Sequence, residues 1–258
     1  MSKQSSVAVH IDERGVAYVM LDNAAKLNTL NTRVMTELIA AVEQLAADAG
    51  LRAVVLRGAG ERAFIGGADI TEMATFDADS ARTFITLVHR SCDCFRRLKV
   101  PVIARIQGYV LGAGLEVAAA CDIRVASADA QFGMPEVRIG VPSVVEAALL
   151  PQLIGWGRTR LLLLTGGTID AATAHAWGLV EKVAAPAELD VIVERLVASI
   201  VASGPQAIRL QKELITAWEA LPLREAILRG IDSFAAAWTS DEPKRLMRQF
   251  LDERVRNR

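Results

Sequence analysis

Aromatic side chains make up only 5% of this 258-residue chain. A core of any size must therefore be assembled from Ala, Val, Leu and Ile, within a hydrophobic total of 52%. Neither sign of charge is in excess: 29 basic against 30 acidic residues give a formal net charge of −1. That balance supplies no field for nucleic acid or an anionic membrane, and neither is expected as a partner. Cys92, Cys94 and Cys121 make an odd count in a chain without a secretory signal, so a reducing compartment is expected. The Cys92–Cys94 spacing falls outside the usual zinc patterns, and His10, His89 and His175 are scattered, so no metal site is expected. No uncharged apolar run is long enough to cross a bilayer as a helix. Residues 1–6 carry neither the apolar stretch of a signal peptide nor the arginine-rich face of a transit peptide. The expectation is a soluble, cytoplasmic protein without tandem repeats or low-complexity linkers.

What is present is an alternation of strand and helix patterns. Val7–Ile11 and Val16–Leu21 flank the turn residues Asp12-Glu13-Arg14-Gly15 and read as a hairpin. Asn31 is placed to cap a helix reaching about Ala49, with Val34, Leu38, Ala41, Val42 and Leu45 on one face. Ala53–Arg57, Val102–Ile106 and Ile123–Ala126 read as short buried strands. Helices are expected from Asp69, over Asp79–Leu98 and over Ala113–Cys121. From about Ile154 nearly everything reads as helix. The apolar faces of Leu189–Val201 and Ala207–Trp218 need partners, from either the core or an assembly. The fold class is α/β, with ligand-binding loops between elements.

Two glycine-bearing loops feed predicted helices: Gly66-Gly67 and Gly112-Ala113-Gly114. The first amides of a helix lack internal acceptors and can hold an anion. Two such amides aimed at one carbonyl oxygen would stabilise an enolate. Either loop alone could equally serve a tight turn or close packing. A dinucleotide site is not expected, because the third glycine of that fingerprint is missing after Gly114.

The runs Ala63-Phe64-Ile65-Gly66-Gly67-Ala68-Asp69-Ile70, Gly108 to Glu116 and Gln131-Phe132-Gly133-Met134-Pro135-Glu136 occur in an order that resembles the crotonase (enoyl-CoA hydratase/isomerase) family. The resemblance begins at Leu21–Asn31. It continues through Ala119–Arg124, Leu163–Gly167 and Ala174–Val180, nearly the whole chain. It implies a spiral of repeated ββα units over residues 1–200 and a helical C-terminal region, 201–258, used in assembly as a trimer or dimer of trimers. It also implies an acyl-CoA substrate and no separate cofactor. The amides of Ala68 and Ala113 would form the oxyanion hole. Residues 25–27 would line the adenine and phosphate region, with Lys26 a phosphate partner beside Leu27. Asp69 and Ile70 would border the pantetheine channel, Gly67 would also bind substrate, and Asp122 would be structural.

Within that resemblance, having both Glu116 and Glu136 looks like the hydratases. Adding water to a conjugated enoyl thioester needs a base for the water attacking Cβ and an acid for Cα. Glu116 is expected to activate the water and Glu136 to protonate Cα. A close carboxyl pair splits its titration, so one member can stay protonated near neutral pH. Isomerisation, decarboxylation or C–C hydrolysis through the same enolate is the alternative, with a non-catalytic binding relative behind it. The acyl pocket could involve Phe84, Leu87, Val88 and Tyr109, although apolar residues at helical spacing are also plain core.

The match breaks after Glu136. The family run Gly-x-x-Pro-Gly-x-Gly-Gly is here Gly140-Val141-Pro142-Ser143-Val144-Val145-Glu146, one residue shorter and stripped of three glycines. Glu146 is expected either to favour a helix first turn or to serve as a third acid in the pocket. Pro243 should restart the last helix, with Lys244, Arg245 and Arg248 on a solvated face or at a neighbour's CoA.

Overall fold

Alternating apolar residues form the antiparallel hairpin β1 (Val7–Ile11) and β2 (Val16–Leu21), in register Val9 to Val19. The computed structural model describes residues 6–256. Asn31 Oδ1 accepts the Val34 amide at 2.9 Å and opens α1 (Thr32–Ala46), whose buried stripe is Val34, Leu38, Val42 and Leu45. Then follow β3 (Ala53–Gly58), β4 (Ala63–Ile65), the short α2 (Ile70–Met73) and α3 (Ala78–Arg96). Helix α3 starts at a reciprocal cap between Asp77 and Ser80. Next come β5 (Val102–Ile106), β6 (Tyr109–Leu111), α4 (Ala113–Ala120), β7 (Ile123–Ser127) and β8 (Gln131–Gly133). The remainder is α5 (Leu150–Ile154), α6 (Trp156–Thr165), β9 (Thr168–Asp170), α7 (Ala171–Trp177), β10 (Lys182–Ala184), α8 (Leu189–Ala202), α9 (Pro205–Trp218), α10 (Leu223–Ala237) and α11 (Glu242–Arg256).

The strands sort into a six-stranded sheet, β1-β2-β3-β5-β7-β10, and a four-stranded sheet, β4-β6-β8-β9. Successive turns of the chain place one strand in each: β3 then β4, β5 then β6, β7 then β8. That is the expected ββα spiral. Every residue of α4 is buried, so its near-uniform alanine, valine and leucine composition reflects enclosure rather than amphipathic patterning.

Two strands overturn the expectation of helix after Ile154. Thr168–Asp170 pairs antiparallel with β8, and Lys182–Ala184 pairs parallel with β7. Three residues are too few to show a two-residue period, so pairing partners rather than pattern create them. Helix α8 covers the larger sheet through Leu189, Val193 and Val197. Helix α10 leaves Leu223, Ile227, Ile231 and Phe234 exposed. Among the described residues no single helix is long and apolar enough to cross a membrane.

Asp122 is tied into the frame. Its Oδ2 accepts the Val102 amide at 2.6 Å and the Lys212 ammonium at 2.7 Å. Lys212 is itself buried and also donates to the Phe95 and Val100 carbonyls at 3.2 and 2.9 Å. Three acceptors around one buried amine bind α9 to the corner where β5 begins. Lys212→Ala strands those acceptors and is expected to cost about 3 kcal/mol of stability in urea unfolding.

Candidate active site

Helix α4 reaches the site because two glycines allow it. Gly114 lies so close to β4 that an added Cβ would sit 2.1 Å from the Ile65 carbonyl oxygen. Gly112 has φ +52° and ψ −123°, and a Cβ there would meet Glu136 Oε1 at 2.4 Å. Between them, Ala113 supplies the first amide of α4, which has no intrahelical acceptor. Ala113 and Ala68 both line a cavity of about 570 Å³. Its walls include Gly66, Gly67 and Ile70 together with Pro142, Ser143 and Val144. Met73, Phe76, Phe84, Ile85 and Val88 make one side apolar. Phe84 and Val88 are therefore cavity residues as the sequence suggested, whereas Leu87 and Tyr109 are not among those lining it.

Both glutamates open onto this cavity. Glu116 is only 4% exposed, on the first turn of α4, and its Oε1 accepts the Ala147 amide at 3.2 Å. Burial pushes its carboxyl up to about 8, the charges of Glu136 and Glu146 add to this, and the Ala147 amide opposes it. Glu136 sits at the start of a 3₁₀ turn, Glu136–Ile139, and its Oε2 accepts the Ser143 hydroxyl at 2.8 Å. Glu116 therefore keeps its proton near neutral pH.

That raised value has a consequence for stability. Between the ordinary carboxyl value of 4.5 and about 8, the folded chain keeps the Glu116 proton and the unfolded chain releases it. The stability from the neutral buried carboxyl is complete below pH 4.5 and is lost as pH rises to about 8. Glu116→Gln cannot ionise. It is expected to be more stable than the native chain above pH 8, by roughly 2–4 kcal/mol, with no advantage near pH 4. Thermal unfolding at both pH values checks this.

Glu146 does not cap its helix. It lies in a 3₁₀ turn, Val145–Leu149, that has no side-chain cap, and its carboxylate is drawn instead to His89 on α3, with Oε1 2.7 Å from Nδ1. The turn begins at Val145 with φ +41°, a region that β-branched residues avoid.

Lys26 and Leu27 stand at the outer edge. The Leu27 carbonyl accepts the Gly66 amide at 2.8 Å, and the Lys26 ammonium, 62% exposed, lies 3.5 Å from Asp69 Oδ2. Asp69 caps α2 through Thr71 and, with Lys26 and Leu27, lies outside the cavity wall. Ile70, 58% exposed, lines the cavity. Along α11, Lys244, Arg245 and Arg248 share a groove with Asp241, Asp252 and Glu253, the mixed charge of a solvated face.

Residues 12–257 match the family model described as enoyl-CoA hydratase/isomerase. The chain belongs to this family. It is 35% identical over 246 residues to the short-chain-enoyl-CoA hydratase of Clostridium acetobutylicum, covering 94% of this chain and 93% of that one. It is 32% identical to the crotonyl-CoA hydratase of Syntrophomonas wolfei, with 95% of each covered. The crystal structure of an enoyl-CoA hydratase from Bacillus anthracis superposes with a TM-score of 0.92 at 29% identity, over 96% of both chains.

Against this enoyl-CoA hydratase/isomerase frame, three contacts escaped the sequence reading. Ser143 holds Glu136, the Ala147 amide holds Glu116, and His89 holds Glu146. Ser143 falls in the segment where the family pattern breaks and Ala147 directly follows it, which was the available signal. His89 gave none, because a lone histidine on a helix has no partner visible in sequence.

Proposed function

We propose that this chain is an enoyl-CoA hydratase, a hydro-lyase adding water reversibly to a 2-enoyl-CoA to give a 3-hydroxyacyl-CoA. The observation that carries this reading is the pair Glu116 and Glu136 opening onto one apolar cavity that Ala68 and Ala113 also line. The names of the Clostridium acetobutylicum and Syntrophomonas wolfei relatives support it.

The thioester oxygen takes the amides of Ala68 and Ala113, which stabilise the developing enolate by roughly 3 kcal/mol per donor. The two carboxyls hold one proton between them and a water bridges them. Glu116 passes its proton to that water as the water hands one to Glu136. Glu116 is then the base for the water attacking Cβ, and Glu136 is the acid for Cα. When the C–O and C–H bonds have formed, the proton is back on Glu116 and the cycle closes. No metal or redox cofactor enters these steps, and coenzyme A arrives as part of the substrate. Lys26, Leu27, Gly67, Asp69 and Ile70 hold its phosphate and pantetheine portions. The assembly in this reading is a homotrimer or dimer of trimers, supported by the exposed Leu223, Ile227, Ile231 and Phe234 of α10.

A second reading, double-bond isomerisation, is favoured by the proton resting on Glu116, which leaves Glu136 to move a proton alone. The test is loss of conjugated enoyl-thioester absorbance over straight, branched and aromatic 2-enoyl-CoAs, with product analysis. Formation of a 3-hydroxyacyl-CoA supports hydration. A shifted double bond without water uptake, or no reaction with any of them, overturns it.

A further inference from the structure

Glu146 is not used by the steps above, yet the fold keeps it at evident cost. It is 7% exposed, and its Oε2 is buried without a hydrogen-bond partner. A carboxylate oxygen left this way is expensive to maintain and calls for a reason. The residue before it, Val145, occupies a left-handed conformation at φ +41°. The residue after it, Ala147, donates its amide to Glu116 Oε1. A strained backbone, an unsatisfied acid and a contact to the buried acid of the cavity thus occupy three consecutive residues. Strain of this kind gathers where surrounding structure enforces a functional arrangement.

The groups around it can be named. From α3, His89 faces Glu146 through Nδ1 at 2.7 Å, and the buried Cys92 thiol feels Glu146 and Glu116 together. From α4 comes Glu116 itself, which accepts the Ala147 amide and whose carboxyl is raised by the charges of Glu136 and Glu146. We propose that Glu146, clamped by His89, is a positioning residue for Glu116: it anchors the turn that aims the Ala147 amide at the Glu116 carboxyl and sets a third carboxylate behind the pair. Its charge then helps to keep the proton of the pair on Glu116 until water and thioester enter. The proposal rests on the hydratase reading for its catalytic consequence, but its effect on Glu116 can be seen without catalysis.

The experiment follows Glu116 in the unliganded protein by carbon NMR of carboxyl-labelled glutamate, with the resonance assigned from its disappearance in Glu116→Gln. Glu146→Gln keeps the shape and the His89 hydrogen bond while removing the charge. The Glu116 titration is expected to move to lower pH, by less than about one pH unit because burial and Glu136 raise it more than Glu146 does. Alongside it, kcat should fall about tenfold with KM within about twofold, and the matching limb of the pH profile should move the same way. Glu146→Asp keeps the charge but draws it back from His89 and slackens the turn that holds the Ala147 amide, so kcat should fall while the Glu116 titration moves up rather than down. Should the amide variant not fold, Glu146→Met removes the same charge with a group suited to burial. An unmoved Glu116 titration in a folded charge-removing variant overturns the proposal, even if the melting temperature drops. If the native chain hydrates no enoyl-CoA, the hydratase reading fails while the titration still decides this one.

Discussion

Glu136→Gln is expected to lower kcat for 2-enoyl-CoA hydration by about 10³-fold, with KM changed only a few-fold. The amide can still accept the Ser143 hydroxyl, which holds the native carboxylate at 2.8 Å, so the side chain should stay in place. What it loses, in the proposed mechanism, is the ability to take a proton from a bridging water and deliver it to Cα. Glu116→Gln should also collapse kcat, but by a different failure, since the water then has no base. Exchange of the Cα protons of a saturated acyl-CoA with solvent deuterium separates the two roles. Exchange should survive in Glu116→Gln and vanish in Glu136→Gln. The reverse pattern would exchange the roles assigned to the two acids. Steady-state absorbance and proton NMR of the recovered thioester make both comparisons with one set of proteins.

The meeting of both glutamates at one cavity was legible in sequence because each sits on a local signal. Glycines at 112 and 114 open a helix, Glu116 falls on its first turn, and Pro135 fixes the approach to Glu136. Each is a short-range pattern whose spacing survives without knowledge of the fold. The hairpin and the cap at Asn31 were legible for the same reason. What escaped was long-range. Strands β9 and β10 exist only through their pairing with β8 and β7. His89 meets Glu146 across 57 residues of chain, and the Ala147 amide meets Glu116 across 31. The altered loop was visible as a departure, but its meaning was not. Whether Glu146 favoured its own helix or joined a pocket depends on where α3 packs, and no local pattern encodes that. The raised carboxyl of Glu116 was equally hidden, since it follows from burial of α4 against α3, β4, β6 and the 3₁₀ turn Val145–Leu149 rather than from neighbours in the chain.

Gly112→Ala is expected to abolish most activity while leaving the fold standing, about a 10²- to 10³-fold fall in kcat. Two effects coincide at this position. The backbone at φ +52° and ψ −123° is glycine territory, and holding alanine there costs roughly 1–3 kcal/mol. The new Cβ would also lie 2.4 Å from Glu136 Oε1, and the atom it strikes is the free end of a side chain. The carboxyl therefore swings away instead of the backbone yielding, and it leaves both Ser143 and the water that the proposed mechanism has it share with Glu116. Gly155→Ala isolates the first effect. Gly155 has φ +80° and ψ +155°, with nothing within 4 Å of an added Cβ, at the junction of α5 and α6 outside the cavity wall. Both variants should lose a similar few degrees of melting temperature, yet Gly155→Ala should keep kcat within about twofold. Equal losses of activity in the two would mean that backbone strain, not the displaced Glu136 carboxyl, is what the enzyme cannot tolerate. Loss confined to Gly112→Ala would show that the missing Cβ is there to leave room for an acid.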